Sequence, residues 1–191
     1  KIIFAIPNSK QDDILANHLR SVGAEIFRGS ELNLVKRYYD TAKKSKAATI
    51  VRVCADNPLI CADQIDSLIT FFKKHECEYA YNHIPKNNSW PDGLGAEICK
   101  FKLIKEIYEK ASCLRHQEHL FSYVWDNEEN YQIATFDPPK QLAYPSLKFD
   151  IDTLDDYHKL LEIPFKIDMT AIEVVKMANM YDLRGMERKN K

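Results

Sequence analysis

The sequence lacks the patterns that would assign it at once to several common classes. No apolar run approaches the roughly 20 residues that a membrane span requires, and there is no internal repeat or low-complexity tract. The 27 basic and 28 acidic residues nearly cancel, so no field over the whole surface would attract nucleic acid or anionic lipid. These absences favour a soluble, cytoplasmic protein with no nucleic-acid partner and no membrane partner.

Paired cysteines are also absent. The five cysteines are odd in number, widely spaced and without a C-x-x-C pair, which argues against both a disulfide framework and a zinc ribbon. We therefore expect most of them to pack as small hydrophobic side chains in a reducing compartment.

The sequence does contain short apolar runs that alternate with segments of helical period, which is typical of βαβ units. This predicts one domain over residues 1–191, of class α/β, with three layers (α/β/α) and a mostly parallel sheet. The predicted strands cover 2–6, 24–27, 48–53, 79–83, 96–99 and 147–151. The predicted helices cover 12–22, 30–43, the stretch after 63, 103–111, 116–127, 155–161 and 170–183.

Three residues are expected to mark helix ends. Gly23 suits the left-handed position after the first helix, and Ser30 could cap the second. Thr170, with Glu173 three residues later, fits a capping box at the start of the last helix.

Asp56 follows the apolar run 48–53 and precedes Pro58. The predicted strand delivers this carboxylate to its carboxyl end, where ligands bind in open α/β sheets. A carboxylate at that place can hold a metal ion that bridges phosphates, or it can cap the loop that follows. The position of Asp56 alone does not separate these two roles.

A second acidic cluster runs from Asp150 to Asp156, again where a predicted strand gives way to a helix. Asp150 and Asp152 would share one face of the strand because they are two residues apart. Asp155 and Asp156 would lie in the first turn of the helix, where acids complement the helix dipole. Asp56, Asp150 and Asp152 are therefore the candidate ligands of a Mg²⁺ ion.

Several short motifs occur in a fixed order along the chain. They are Phe27-Arg28-Gly29-Ser30-Glu31 with Arg37-Tyr38, Val51-Arg52 through Asp56-Asn57-Pro58-Leu59-Ile60, Tyr81-Asn82, Pro91-Asp92-Gly93 with Glu97, Gln117-Glu118-His119, and Asp150-Ile151-Asp152-Thr153 with Asp155-Asp156. Each motif is weak by itself, but in this order they are fairly specific. The chain resembles the cytidylyltransferases that make CMP-activated sugars, especially the branch that serves spore-coat polysaccharide synthesis.

This resemblance implies a fold of the nucleotide-diphospho-sugar transferase (GT-A-like) type. It implies transfer of CMP from CTP to a sugar acid, with release of pyrophosphate, in the biosynthesis of polysaccharides or surface glycans. It assigns catalytic and metal-binding roles to Asp56 and Asp152, because a bridging Mg²⁺ stabilises the charge that builds up at the phosphates. A homodimer is implied by the resemblance only.

The resemblance also places Asn82, Asp92 and Glu97 near the acceptor sugar. Asp92-Gly93 is at the same time an ordinary turn dipeptide. Glu97 lies inside an apolar strand and is harder to explain as scaffold.

Arg28, Ser30 and Arg52 are the candidates for binding nucleotide or phosphate. Arg52 alternates with Val51 and Val53 and faces the same side as Asp56, so it could instead form an ion pair with Asp56.

The sequence His116-Gln117-Glu118-His119 invites a zinc interpretation, but the P-C-x-x-C that accompanies H-x-E in deaminases does not follow. By resemblance, Arg115 or His119 would face an acidic sugar. A histidine with a structural role at the start of a helix remains the alternative.

Two other functions fit the same residues. A glycosyltransferase of similar architecture would use Asp150 and Asp152 as a D-x-D metal motif, and Asp56 would then have no role in metal binding. A non-catalytic relative would bind a sugar or a partner without needing metal or nucleotide.

The chain departs from the family at its start. The glycine- and arginine-containing loop that follows the family's first strand and wraps the triphosphate has no counterpart in the sequence. We therefore expect the first strand, loop and helix of the domain to be missing from these 191 residues.

A domain without this central strand would expose a sheet edge and apolar surface. We expect the 191-residue chain to associate or to be poorly soluble, which light scattering and thermal unfolding would measure. A monodisperse product that melts cooperatively would contradict this expectation.

Overall fold

Strands and helices alternate along the computed structural model, which describes residues 1–181. The strands are β1 (Phe4–Pro7), β2 (Ile26–Gly29), β3 (Thr49–Arg52), β4 (Tyr79–Tyr81), β5 (Glu97–Lys100) and β6 (Ile133–Ala134). The α-helices are α1 (Asp13–Ser21), α2 (Leu34–Ser45), α3 (Ala62–Lys74), α4 (Phe101–Lys110), α5 (Leu114–Glu118), α6 (Ser122–Asp126), α7 (Leu154–Leu161) and α8 (Ala171–Met180). The predicted α/β class is confirmed.

These strands form two sheets within residues 1–181. Strands β1 and β2 pair in parallel, with Phe4 opposite Ile26 and Pro7 opposite Gly29. The other sheet has the order β3-β5-β4-β6, and β6 runs parallel to β4. Strand β6 was not predicted from the sequence, because a strand of two residues is too short to show alternation.

The chain divides into two compact units. The first comprises Lys1–Ile50 and Cys99–Gln132, and the second comprises Val51–Ile98 and the chain from Ile133 onward. The expectation of one domain that lacks its first strand-loop-helix unit stays a prediction. No helix within residues 1–181 is both long enough and apolar enough to cross a membrane.

In the first unit, β1 packs on α1 through Ile6, Ala16 and Leu19. Gly23 follows α1 with a φ of +76°, as expected for the left-handed position after a helix.

Helix α2 begins later than the sequence predicted. Its cap is Asn33, whose side chain accepts a hydrogen bond from the Lys36 amide at 2.7 Å. Ser30 does not cap the helix, since its hydroxyl accepts from the amide of Asn33 at 3.0 Å. Asparagine is among the strongest N-capping residues, and this later cap makes the helix begin at Leu34 rather than at Ser30.

The predicted helix over 116–127 is two short helices, α5 and α6. The break lies at His119, whose backbone is extended with a φ of −116° and a ψ of 106°. The Ser122 hydroxyl donates to the carbonyl of His119 at 2.8 Å and thereby satisfies a group that an unbroken helix would have bonded internally.

Two hydrophobic clusters form the core of the second unit. One packs α3 on the sheet, and the other packs α8 on the segments around Trp90 and Phe149. The indole of Trp90 donates to the carbonyl of Phe136 at 2.6 Å. Residues 90–95 are buried apart from the half-buried Asp92, and Trp90 and Leu94 anchor this segment in the core.

Residues 147–151 do not form the predicted strand. A single bridge pairs Asp92 with Lys148, where the Asp92 amide donates to Leu147 and the Phe149 amide donates back to Asp92, each at 3.0 Å. The pairing stops because Gly93 follows with a φ of +92°, which turns the partner chain away.

Helices α7 and α8 both begin with a capping box. The box of Thr170 and Glu173 confirms the sequence prediction. In α7 the equivalent pair is Thr153 and Asp156, so Asp156 has the helix-start role expected of it. Helix α8 ends at Met180, and the predicted end at Leu183 lies outside the described residues.

Gly93 and Gly23 both have a positive φ but differ in the space around them. A Cβ at Gly93 would lie 2.8 Å from the Asp150 amide nitrogen, whereas a Cβ at Gly23 would meet nothing within 4 Å. We expect Gly23→Ala to lower the free energy of unfolding by about 1 kcal/mol, and Gly93→Ala to lower it by roughly 3 kcal/mol because of the added clash. Denaturant unfolding of both variants measures the difference, and equal losses would contradict it.

Candidate functional site

The two predicted acidic segments meet in the second unit. The Ile151 amide donates to the carbonyl oxygen of Asp56 at 2.9 Å, which joins the turn after β3 to the loop that carries Asp150 and Asp152. Asp56 is exposed, and the side chain of Asp152 is 63% exposed. The fold thus brings together two predicted acidic segments that lie far apart in the sequence.

Lys148, to which the sequence assigned no role, lies among the carboxylates of this loop. Its Nζ is 3.1 Å from Asp150 Oδ2, 3.2 Å from Asp152 Oδ2 and 3.3 Å from Asp156 Oδ2. Burial would lower the pKa of Lys148, but the carboxylates outweigh it and raise the pKa to about 12. The ammonium group therefore stays charged and offsets part of the repulsion among the three acids.

Asp150 and Asp152 lie in a loop rather than on one face of a strand, which corrects the sequence prediction. They share Lys148 instead. The pKa of Asp150 is raised, because the effect of burial exceeds the lowering effect of the Lys148 ammonium. Asp150 Oδ1 is a buried atom without a hydrogen-bond partner.

Glu97 lies at the centre of a buried polar cluster. It is 4% exposed, forms an ion pair with Arg52, and accepts a hydrogen bond from the Tyr79 hydroxyl at 2.5 Å. His83 Nε2 lies 3.8 Å from Glu97 Oε1. The alternative in which Arg52 forms a structural ion pair is thus realised, with Glu97 as its partner.

The charges in this cluster set the protonation of its members. Burial would raise the pKa of Glu97, but Arg52, His83 and Tyr79 together hold it below the usual value. Burial raises the pKa of Tyr79 well above its usual value, so that its hydroxyl stays a donor. Glu97 is therefore a carboxylate at neutral pH.

Asn82 is fully buried, and its amide bonds to backbone at both ends. Its Nδ2 donates to the carbonyl of Gln64 and its Oδ1 accepts from the amide of Ala96, each at 2.9 Å. A Cβ at Gly95 would lie 2.2 Å from the Asn82 carbonyl, so glycine is required there. Asn82 thus fixes the start of β5, while Asp92 is half-buried in the turn beside Lys148.

Arg28 and Ser30, the candidate phosphate-binding residues of the first unit, bond within that unit. Arg28 donates to the carbonyls of Pro7 and Ser9 at 3.1 and 2.6 Å and forms an ion pair with Asp13. These bonds tie the end of β1 to α1.

Arg115 and His119 lie on the surface of the same unit. Arg115 forms an ion pair with Asp126, which also binds His116 Nε2 at 2.8 Å, and His119 is exposed. The substrate-binding roles of Arg28, Ser30, Arg115 and His119 stay predictions.

All five cysteines are free. Burial raises the pKa of Cys54 to about 12 and that of Cys61 to about 11, so neither thiol forms a thiolate readily. Cys61, Cys77 and Cys99 are buried, as predicted for small hydrophobic side chains.

The chain is similar to a cytidylyltransferase of known structure and to two proteins of related sequence. A cytidylyltransferase from Leptospira borgpetersenii superimposes with a TM-score of 0.83 over 97% of this chain and 79% of its own, at 22% identity. The spore coat polysaccharide biosynthesis protein SpsF of Bacillus subtilis is 25% identical over 192 residues, which are 98% of this chain and 78% of SpsF. The resemblance to the cytidylyltransferases is confirmed. The uncharacterized protein MJ1063 of Methanocaldococcus jannaschii is 26% identical over 181 residues, or 95% of this chain and 72% of MJ1063.

The fold of this cytidylyltransferase-like chain is therefore of the nucleotidyltransferase type, as predicted. No family model matches the chain.

Removal of the Glu97 carboxylate should destabilise this chain. Glu97→Gln removes the carboxylate that pairs with Arg52, whose side chain is 21% exposed, and we expect a loss of about 3 kcal/mol in the free energy of unfolding. Glu109→Gln is the matched control, because Glu109 pairs with Lys105 at the surface and should change stability by less than about 0.5 kcal/mol. Urea unfolding measures both, and an equally small change in Glu97→Gln would contradict the buried ion pair.

The lowered pKa of Glu97 also predicts a pH dependence. A carboxylate with a lower pKa in the folded than in the unfolded state stabilises the fold above its unfolded value, here 4.5, and this stabilisation is lost as the pH falls through the folded value. We expect the melting temperature of the wild type to fall in acid more steeply than that of Glu97→Gln. Parallel acid profiles would show that Glu97 is not ionised in the fold.

Proposed function

We propose that this protein is a cytidylyltransferase that transfers CMP from CTP to a sugar acid and releases pyrophosphate. The single observation that carries the proposal is the fold shared with the Leptospira cytidylyltransferase over 97% of the chain. The similarity to SpsF along 98% of the chain supports a place in polysaccharide biosynthesis.

The acidic loops suit Mg²⁺ as the metal. Asp56 and Asp152 offer exposed carboxylate oxygens on two joined loops, and oxygen is the ligand that Mg²⁺ prefers. Within residues 1–181, no group of three or more histidine, cysteine or acidic side chains is spaced to hold a metal ion. That finding fits an ion that takes one or two carboxylates and fills its other positions with water and phosphate oxygens.

We propose that Asp56 and Asp152 hold this ion, which when bound would neutralise charge on the phosphates of CTP. Asp150 is less suited because its side chain is only 14% exposed, whereas that of Asp152 is 63% exposed. Lys148 lets the loop keep three acids close together before any metal binds, since its charge offsets their repulsion.

Asn82 and Glu97 act as positioning residues in this proposal. They are 0% and 4% exposed, and their polar atoms already bond to other groups of the chain. They fix β5 and the turn at Asp92. Of Asn82, Glu97 and Asp92, only Asp92 is half-buried rather than buried, so its side chain lies nearer to solvent.

Replacement of either proposed metal ligand should remove activity and leave the fold intact. We expect Asp56→Asn and Asp152→Asn to lower pyrophosphate release from CTP by at least about 100-fold, with a change in unfolding free energy within about 0.5 kcal/mol because both residues are exposed. Asp155→Asn is the matched control, since Asp155 is an exposed acid in the first turn of α7.

The assay uses Mg²⁺, CTP and a panel of sugar acids, together with calorimetry of CTP binding with and without Mg²⁺. Absence of both CTP turnover and Mg²⁺-dependent CTP binding in the wild type would reject the proposal. Metal binding that survives Asp56→Asn but not Asp152→Asn would favour the glycosyltransferase alternative.

A further inference from the structure

His83 is a buried imidazole beside the acidic loops. It is 9% exposed and lies two residues after the end of β4. Its carbonyl accepts a hydrogen bond from the Gly93 amide at 3.0 Å, and Gly93 packs so tightly on the Asp150 backbone that a Cβ there would lie 2.8 Å from the Asp150 amide nitrogen. Two consecutive backbone contacts thus connect His83 to the loop of Asp150.

The two ring nitrogens of His83 have different surroundings. Nε2 lies 3.8 Å from the Glu97 carboxylate, whereas Nδ1 is buried without a hydrogen-bond partner. The ring of Tyr81 meets the imidazole edge-on, with the centroids 6.1 Å apart.

The proton of His83 is expected on Nε2. Burial lowers the pKa of His83 in spite of the opposing charges of Glu97, Asp56 and Asp150, so the ring is neutral at neutral pH and carries one N–H. The Glu97 carboxylate attracts that N–H to the Nε2 side, which leaves the Nδ1 lone pair as a hydrogen-bond acceptor.

We propose that Nδ1 of His83 accepts a hydrogen bond from a hydroxyl group of the acceptor sugar and helps to select that sugar. The proposal rests on the proposed function. A buried acceptor without a partner calls for a donor from outside the chain, and sugars are rich in hydroxyl donors. Mg²⁺ is not the expected occupant because that hard ion prefers oxygen ligands.

The kinetic test compares two replacements of His83 with a control. His83→Phe keeps a ring but removes the acceptor, and we expect it to raise KM for the acceptor sugar acid by about 10-fold or more, since a site that bonds a substrate hydroxyl discriminates through that bond. His83→Gln carries an amide oxygen and should recover part of the loss. KM for CTP should change little in both variants.

His75→Phe is the matched control, because His75 is exposed and stacks on Phe71 at the end of α3. It should leave KM for the sugar unchanged. The proposal also expects the wild type to distinguish the preferred sugar acid from its deoxy analogues, and His83→Phe to lose that preference for one of them. Unchanged KM values in His83→Phe would overturn the assignment while the proposed function stood.

A second measurement does not depend on turnover or on the folding of a variant. The ¹⁵N resonance of His83 Nδ1 is followed in the wild-type chain while the same sugar acids are added without CTP. A shift of that resonance supports the assignment even if no CTP is turned over, in which case only the proposed function fails. No shift with any sugar of the panel overturns the assignment, whatever the enzyme does with CTP.

Discussion

One buried carboxylate, that of Glu97, constrains three neighbouring strands of the larger sheet. Glu97 lies on β5, pairs with Arg52 on β3 and accepts a hydrogen bond from Tyr79 on β4, in a sheet whose order is β3-β5-β4-β6. A buried charge is tolerated only where its partners satisfy it, because its transfer from water is expensive. The partners therefore fix how these strands pack and where β3 ends. Since the chain leaves β3 just before Asp56, the same pairing helps to set the position of the acidic turn.

In the acidic loops several carboxylates lie close together and repel one another, and the charge of Lys148 offsets part of this repulsion. Three carboxylates within hydrogen-bonding reach of one ammonium leave an excess of negative charge. Such an excess suits a site that is completed by a divalent cation and phosphates, since the missing positive charge comes with the ligand. In the same region His83 Nδ1 and Asp150 Oδ1 are buried without partners. Polar atoms of this kind are uncommon in folded proteins, and the hydrogen bond proposed from a sugar hydroxyl would satisfy the Nδ1 atom of His83.

The sequence predicted the elements with strong periodicity and misjudged those that depend on distant partners. Helix α1 with Gly23, helix α3 and the capping box at Thr170 follow from local pattern, and the structure contains them. Residues 147–151 carry the alternation of a strand, but they form one bridge because the partner chain turns at Gly93. The predicted helix over 116–127 breaks at His119, where no glycine or proline indicates a break. Lys148 was visible beside the acids but had no local reason for a role, since its partners lie in the loop that follows it and in the first turn of α7.

By itself the sequence determined the α/β class, the free cysteines and the acidic residues of the site, because these depend on composition, on short-range periodicity and on the order of motifs. Tertiary structure decided which of the polar residues face each other. Arg52 could have paired with Asp56, and only the neighbouring strand brings Glu97 to it. The motifs predict Asn82 and Glu97 as sugar ligands. In the structure both side chains are buried, and Asn82 bonds to backbone groups while Glu97 pairs with Arg52. Burial and pairing arise from contacts between segments that lie far apart in the chain, and these contacts cannot be predicted from the local sequence pattern.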